Sequence, residues 1–101
     1  MIVYNLSIKV SPKIHKDWVQ WQKQEHIPAI MATGYFTANK FFRLLEQDES
    51  EAITYIVQYF APSIKEYDAY ITKEAPLLRK KAIEKWGDQF IAFRTVMETV
   101  N

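Results

Sequence analysis

His26 is the side chain best suited to acid–base chemistry in this sequence, because an imidazole changes charge near neutral pH. It follows two tryptophans, Trp18 and Trp21, whose rings suit the wall of a pocket for a flat ligand and equally the buried stripe of a helix. Asn5, Tyr55 and Arg94 add an amide, a phenol and a cation within otherwise apolar segments. These six are the candidate ligand-binding residues. No nucleophile stands with a base among them, so whether the chain is an enzyme stays open.

Each of the six also has a plainer use. At 100° per residue from Ile14, His26 lies about 120° away, on the flank of the helical stripe, where it can satisfy a helix end. Pro28 cannot donate to the Gln24 carbonyl, so a kink is predicted beside it. Arg94 interrupts the apolar run Phe90–Val96 and needs an acidic partner, such as Glu46, Glu51 or Glu98 across a dimer. Arg43 reads as an edge-strand guard, and Arg79-Lys80-Lys81 as a solvated helix face.

Several chemistries lack their residues. His15 and His26 are about 16 Å apart along a helix, too far for one metal ion, and neither belongs to an H-E-x-x-H motif. With no cysteine there is no disulfide, thiolate nucleophile or Cys-based zinc site, so a reducing compartment suits the chain. Gly34 and Gly87 stand far apart and form no phosphate loop. No metal and no cofactor are implied. Thirteen basic against twelve acidic residues leave a formal charge of +1, which gives a nucleic-acid backbone or an anionic membrane little to hold. No apolar run nears the ~20 residues of a membrane span, and the first ten residues alternate instead of forming a signal-peptide block. A cytoplasmic protein is the expectation, with neither nucleic acid nor membrane as partner.

The elements that must position the candidates follow from periodicity. Ile2, Tyr4, Leu6, Ile8 and Val10 alternate with more polar residues, giving a strand over 2–10. Ser11-Pro12 opens a helix over about 12–32, closed by Gly34. Residues 35–46 read as a second strand, and 53–60 as a third across a polar hairpin. Ser63 and Glu66 suggest a capping box opening a helix over 63–86, and 90–100 reads as the last strand. The order βαββαβ is that of a ferredoxin-like fold, with residues 1–101 as one α+β domain: a four-stranded antiparallel sheet with two helices on one face. Both alternating sets of the last two strands are apolar, Ile53, Tyr55, Val57 and Tyr59 against Ala52, Ile56 and Phe60, and Ile91, Phe93 and Met97 against Phe90, Ala92, Val96 and Val100, so a second sheet is expected on the face the helices leave open. Ferredoxin-like folds include RNA-recognition domains, but Glu51–Gln58 lacks the basic, small and aromatic residues of their third strand.

The segments WQKQEHIPAIMATGYF (21–36), FFRLLEQDES (41–50), TYIVQYF (54–60) and GDQFIAFRT (87–95) resemble a bacterial family of uncharacterised single-domain proteins. More broadly the chain resembles the dimeric α+β barrel superfamily, which includes antibiotic-biosynthesis-type monooxygenases, haem-degrading proteins, muconolactone isomerases and EthD-like proteins. That resemblance implies a homodimer joined through the open sheet face and a pocket between helices and sheet. Asn5 echoes the first-strand Asn of haem-degrading members, and His26-Ile27-Pro28 the H-x-P of EthD-like ones. The second helix holds no His, so haem chemistry is not supported. Two functions compete: a homodimer binding a small hydrophobic or aromatic molecule, and a noncatalytic structural or sensory dimerisation module. An enclosed cavity with two or more of the candidates converging on it favours the first, a filled core the second.

Overall fold

The computed structural model describes residues 1–101. Strands β1 (Ile2–Val10), β2 (Ala38–Arg43), β3 (Ile53–Ala61) and β4 (Phe90–Glu98) form one antiparallel sheet in the order β2-β3-β1-β4. Helices α1 (His15–Trp21) and α2 (Ile27–Ala32) fill the first crossover, and α3 (Ile64–Lys73) and α4 (Ala75–Trp86) the second. The fold is the expected ferredoxin-like α+β arrangement.

Alternation decides the core. Ile2, Tyr4, Ile8 and Val10 of β1 and Ile53, Tyr55, Val57, Tyr59 and Ala61 of β3 are buried on the helix-covered face. A period of two sends Asn5, Ser7, Lys9, Thr54 and Gln58 to the other face. That outer face is therefore not wholly apolar. Its centre is a hydrogen-bonded row in which Gln58 Nε2 donates to Asn5 Oδ1 (3.2 Å) and Asn5 Nδ2 to Thr95 Oγ1 (3.4 Å). Phe42, Ile91, Phe93 and Met97 flank the row and are exposed.

The predicted helix over 12–32 is interrupted, and proline chemistry explains how. Residues Gln22–His26 form a π-helical turn in which the N–H of Ile27 bonds back five residues to the Gln22 carbonyl. Pro28 then falls in the first turn of α2, where a missing N–H costs no ladder bond. The break expected beside Pro28 takes the form of this wide turn. Ser11 does not cap the helix: its Oγ accepts the Lys13 N–H in a local turn and α1 starts at His15. The second crossover breaks at Glu74, which lets Pro76 open α4. Ser63 precedes α3 but its hydroxyl bonds the Glu66 carboxylate, not the helix backbone.

The second strand is shorter than predicted and stops at Arg43. Arg43 Nη2 and Nε donate to the two carboxylate oxygens of Glu49 (2.7 and 3.1 Å), folding the following loop back on the strand end. Glu46 has a positive φ of 59°, incompatible with a continued strand. Arg43 is thus one half of an ion pair as well as an edge residue.

Gly87 ends α4 at φ 62° and ψ −131°, a conformation that glycine alone adopts freely. A Cβ there meets nothing within 4 Å, so the penalty of Gly87→Ala is purely backbone. It should destabilise the protein by about 1–3 kcal/mol in urea unfolding. An unchanged midpoint would show that the α4–β4 turn relaxes without loss.

Candidate functional site

Helix α4 packs on α3 and stands off the sheet, and the space between them is a cavity of about 570 Å³. Twenty residues line it, fourteen of them hydrophobic. Its floor is the helix-facing side of β1 and β4, including Leu6, Ile8 and Ala92. One wall is the first crossover, from Trp18 to Ile30, and the other is α4 with Leu78, Ala82 and Ile83. The exposed lining residues Ile83, Asp88 and Arg94 mark a mouth between α4 and β4.

Of the six predicted residues, His26, Trp18, Trp21 and Arg94 line this cavity. Trp18 is fully buried, tilted against Tyr55 and edge-on to Phe41. Trp21 stacks on His26 with centroids 4.5 Å apart and meets Trp86 edge-on at 5.8 Å. Both tryptophans therefore serve the core and the cavity wall at once. Arg94 shares the helix-facing side with Leu6, opposite it in the register, and has no acidic partner within the chain.

The other two are elsewhere. Asn5 lies on the outer face, because residue parity on β1 sets it opposite to Tyr4 and Leu6. Tyr55 faces the helices, but its hydroxyl is 3.0 Å from His15 Nδ1 in a contact outside the cavity lining. Burial raises the Tyr55 pKa, so this phenol is a neutral hydrogen-bonding group.

Two cavity residues escaped the sequence reading. Gln22 is the one polar residue in the buried set, 4% exposed, and its Oε1 has no hydrogen-bond partner. It sits four residues after Trp18, a spacing that already put it on the buried face. Arg79 is not part of a solvated basic face: it is half-buried, and its Nη2 donates to the Tyr4 hydroxyl at 3.1 Å. Ala75, Leu78 and Ala82 bracket it at helical spacing, which was the available signal.

Burial pushes the His26 imidazole down to about 4. It is neutral at physiological pH and offers one donor and one acceptor. The unfolded chain holds its proton up to about pH 6.5, so between pH 6.5 and 4 it binds more protons than the folded one. The corresponding stability is present above pH 6.5 and lost as pH falls through 4, by about 3 kcal/mol. His26→Gln should flatten that slope, and equal slopes in the two proteins, measured by urea unfolding, would remove the burial argument. No group of three or more His, Cys, Asp or Glu residues is placed to hold a metal ion, and no helix is long and apolar enough to cross a membrane.

The family model for a domain of unknown function, DUF4286, matches residues 1–100. The chain belongs to that family. No curated protein matches it. Among solved structures, an ethyl tert-butyl ether D (EthD) family protein of Bacillus halodurans C-125 is similar, with a TM-score of 0.68 at 17% identity over 99% of this chain and 100% of the other. An antibiotic biosynthesis monooxygenase gives 0.69 at 13% identity over the whole of both chains. A dimeric ferredoxin-like protein from an uncultured marine organism gives 0.57 at 9% identity, over 99% of this chain and 97% of the other. At these identities the likeness establishes the ferredoxin-like fold that DUF4286 adopts here.

Proposed function

We propose that this DUF4286 protein is a homodimer that binds a small, flat, largely apolar molecule between its helices and its sheet. The observation that carries the reading is the cavity itself, whose volume lies in the range of small-molecule sites and whose apolar wall is broken by a few polar groups. A module built only to dimerise gains nothing from a 570 Å³ space beneath its helices or from a buried Gln22 carbonyl oxygen with no partner in the chain. The exposed apolar residues flanking the outer face support a second protomer there, as does the description of one structural neighbour as dimeric.

Two-ring aromatics fit the stacked Trp21–His26 wall, and 2-naphthol serves as a neutral probe. Tryptophan fluorescence reports on it, because Trp18 and Trp21 line the cavity and Trp86 touches Trp21. Saturable quenching is expected, with His26→Ala weakening binding by up to about tenfold through one lost hydrogen bond. Absence of saturation, or a His26→Ala protein that loses thermal stability while binding 2-naphthol as before, would return the cavity groups to a purely structural role.

A further inference from the structure

The cavity wall carries more positive charge than its surroundings neutralise. Arg79 reaches in from α4 and Arg94 from β4, on opposite sides of the same space. The chain's ion pairs are Arg43–Glu49 and Lys80–Glu84, so neither cavity arginine has a carboxylate partner. Arg79 Nη2 rests on a phenol, and its Nε is buried with no partner at all. Both guanidiniums lie close enough to Tyr67 and Tyr70 to oppose, in part, the upward push that burial gives those phenols. The two cations, Tyr4 and Tyr70 therefore form one end of the cavity, with Tyr67 packed on Tyr4 behind it.

The acid in the lining is at the other end. Asp88 follows Gly87, and Gly87 lies eight positions along the chain from Arg79, about 12 Å at the helical rise. Arg94 lies four strand positions beyond Phe90, about 13 Å. Trp86, next to Gly87, meets Trp21, which stacks on His26. The cavity is thus cationic at the tyrosine end and aromatic toward His26, with Ile8 and Ala92 between.

Two guanidiniums facing one partly desolvated space repel each other, and a donor left unsatisfied in that space is costly. An anion between them removes both penalties, and a carboxylate offers the planar pair of acceptors that a guanidinium matches. Building on the binding reading above, we infer that the ligand is an organic monoanion, whose carboxylate sits between Arg79 and Arg94 and whose apolar body runs toward Trp21 and His26.

Three probes of one shape separate the possibilities: 2-naphthoate, neutral 2-naphthamide and the cation 2-naphthylmethylammonium. Titrated into the intact protein and followed by tryptophan fluorescence, 2-naphthoate should bind at least tenfold more tightly than the amide, and the ammonium should not bind. Arg94→Gln, at an exposed position that does not support the core, should bring naphthoate down to the affinity of the amide. Arg94→Lys should restore part of the preference, and Lys81→Glu should leave it unchanged. Naphthoate should also raise the melting temperature more than the amide does. Equal binding of naphthoate and naphthamide would overturn the anionic ligand while leaving the cavity reading intact. Failure of all three, and of 2-naphthol, would overturn both. A naphthoate preference that survives in both Arg94→Gln and Arg79→Gln would place the anion elsewhere and sink the assignment.

Discussion

Phe93→Arg should convert a species of about twice 12.0 kDa into one of 12.0 kDa in sedimentation at micromolar concentration, without loss of secondary structure. Phe93 is 55% exposed on the outer sheet face, midway along the edge strand β4 and paired with Ser7 in the register, so it contributes nothing to the core beneath the helices. Its neighbours Ile91 and Met97 on the same strand, and Phe42 and Ile56 across the sheet, are the apolar flanks of the proposed contact. An unpaired charge buried in such a contact costs several kcal/mol, more than a hundredfold in the dissociation constant. The row Asn5–Gln58–Thr95 at its centre already satisfies part of its own hydrogen bonding, so it can meet a second copy without orphaning those amides. A wild-type protein that sediments as a monomer, or a Phe93→Arg variant that stays dimeric, would show that the outer face is not the joint.

Trp18→Ala should be the most destabilising single truncation, by about 3–5 kcal/mol in urea unfolding. Trp18 is 1% exposed and sits where α1 meets β2 and β3, with Phe41 and Tyr55 as ring neighbours at 6.0 and 5.3 Å. Removing the indole extends the existing cavity into the core, so the rings around it lose partners without any nearby side chain to fill the gap. For a chain of this length the melting temperature should fall by at least ~12 °C. Leu77→Ala, at an exposed position on α4, is the control and should shift stability by less than about 0.5 kcal/mol. A Trp18→Ala protein within 1 kcal/mol of the wild type would mean that the helix, not its tryptophan, holds this corner together.

Much of the fold was legible because β1 and β3 alternate cleanly and prolines and glycines punctuate the crossovers. Residue parity carried more than was taken from it. Asn5 differs in parity from Tyr4 and Leu6, so the alternation that revealed β1 also placed the amide away from any pocket under the helices. Arg94 shares parity with Phe90 and Ala92, and by the same rule it faces inward. Leu44 and Leu45 made β2 look longer than it is, since exposed leucines in a loop carry the same apolar signal as strand residues. Arg79 was hidden by its neighbours Lys80 and Lys81: a run of three like charges suggests one solvated face, whereas successive helix residues point 100° apart. The π-helical turn had no signature beyond Pro28, which announces a break in the ladder but not its kind.

That turn also fixes where the chain cannot lose a residue. Five steps along a regular helix would carry Ile27 about 140° around from Gln22, yet the turn brings the Ile27 N–H back onto the Gln22 carbonyl. Counted in codons, the segment between them is one longer than an α-helical ladder needs. Deleting Lys23, Gln24 or Glu25, all of which are exposed, would let the Ile27 N–H close four residues back, but it would set Pro28 inside a continuous α-helix with its ring against the carbonyl one turn earlier. The extra residue is therefore the spacer that seats the proline, and the same wide turn carries Gln22 and His26 along the cavity wall.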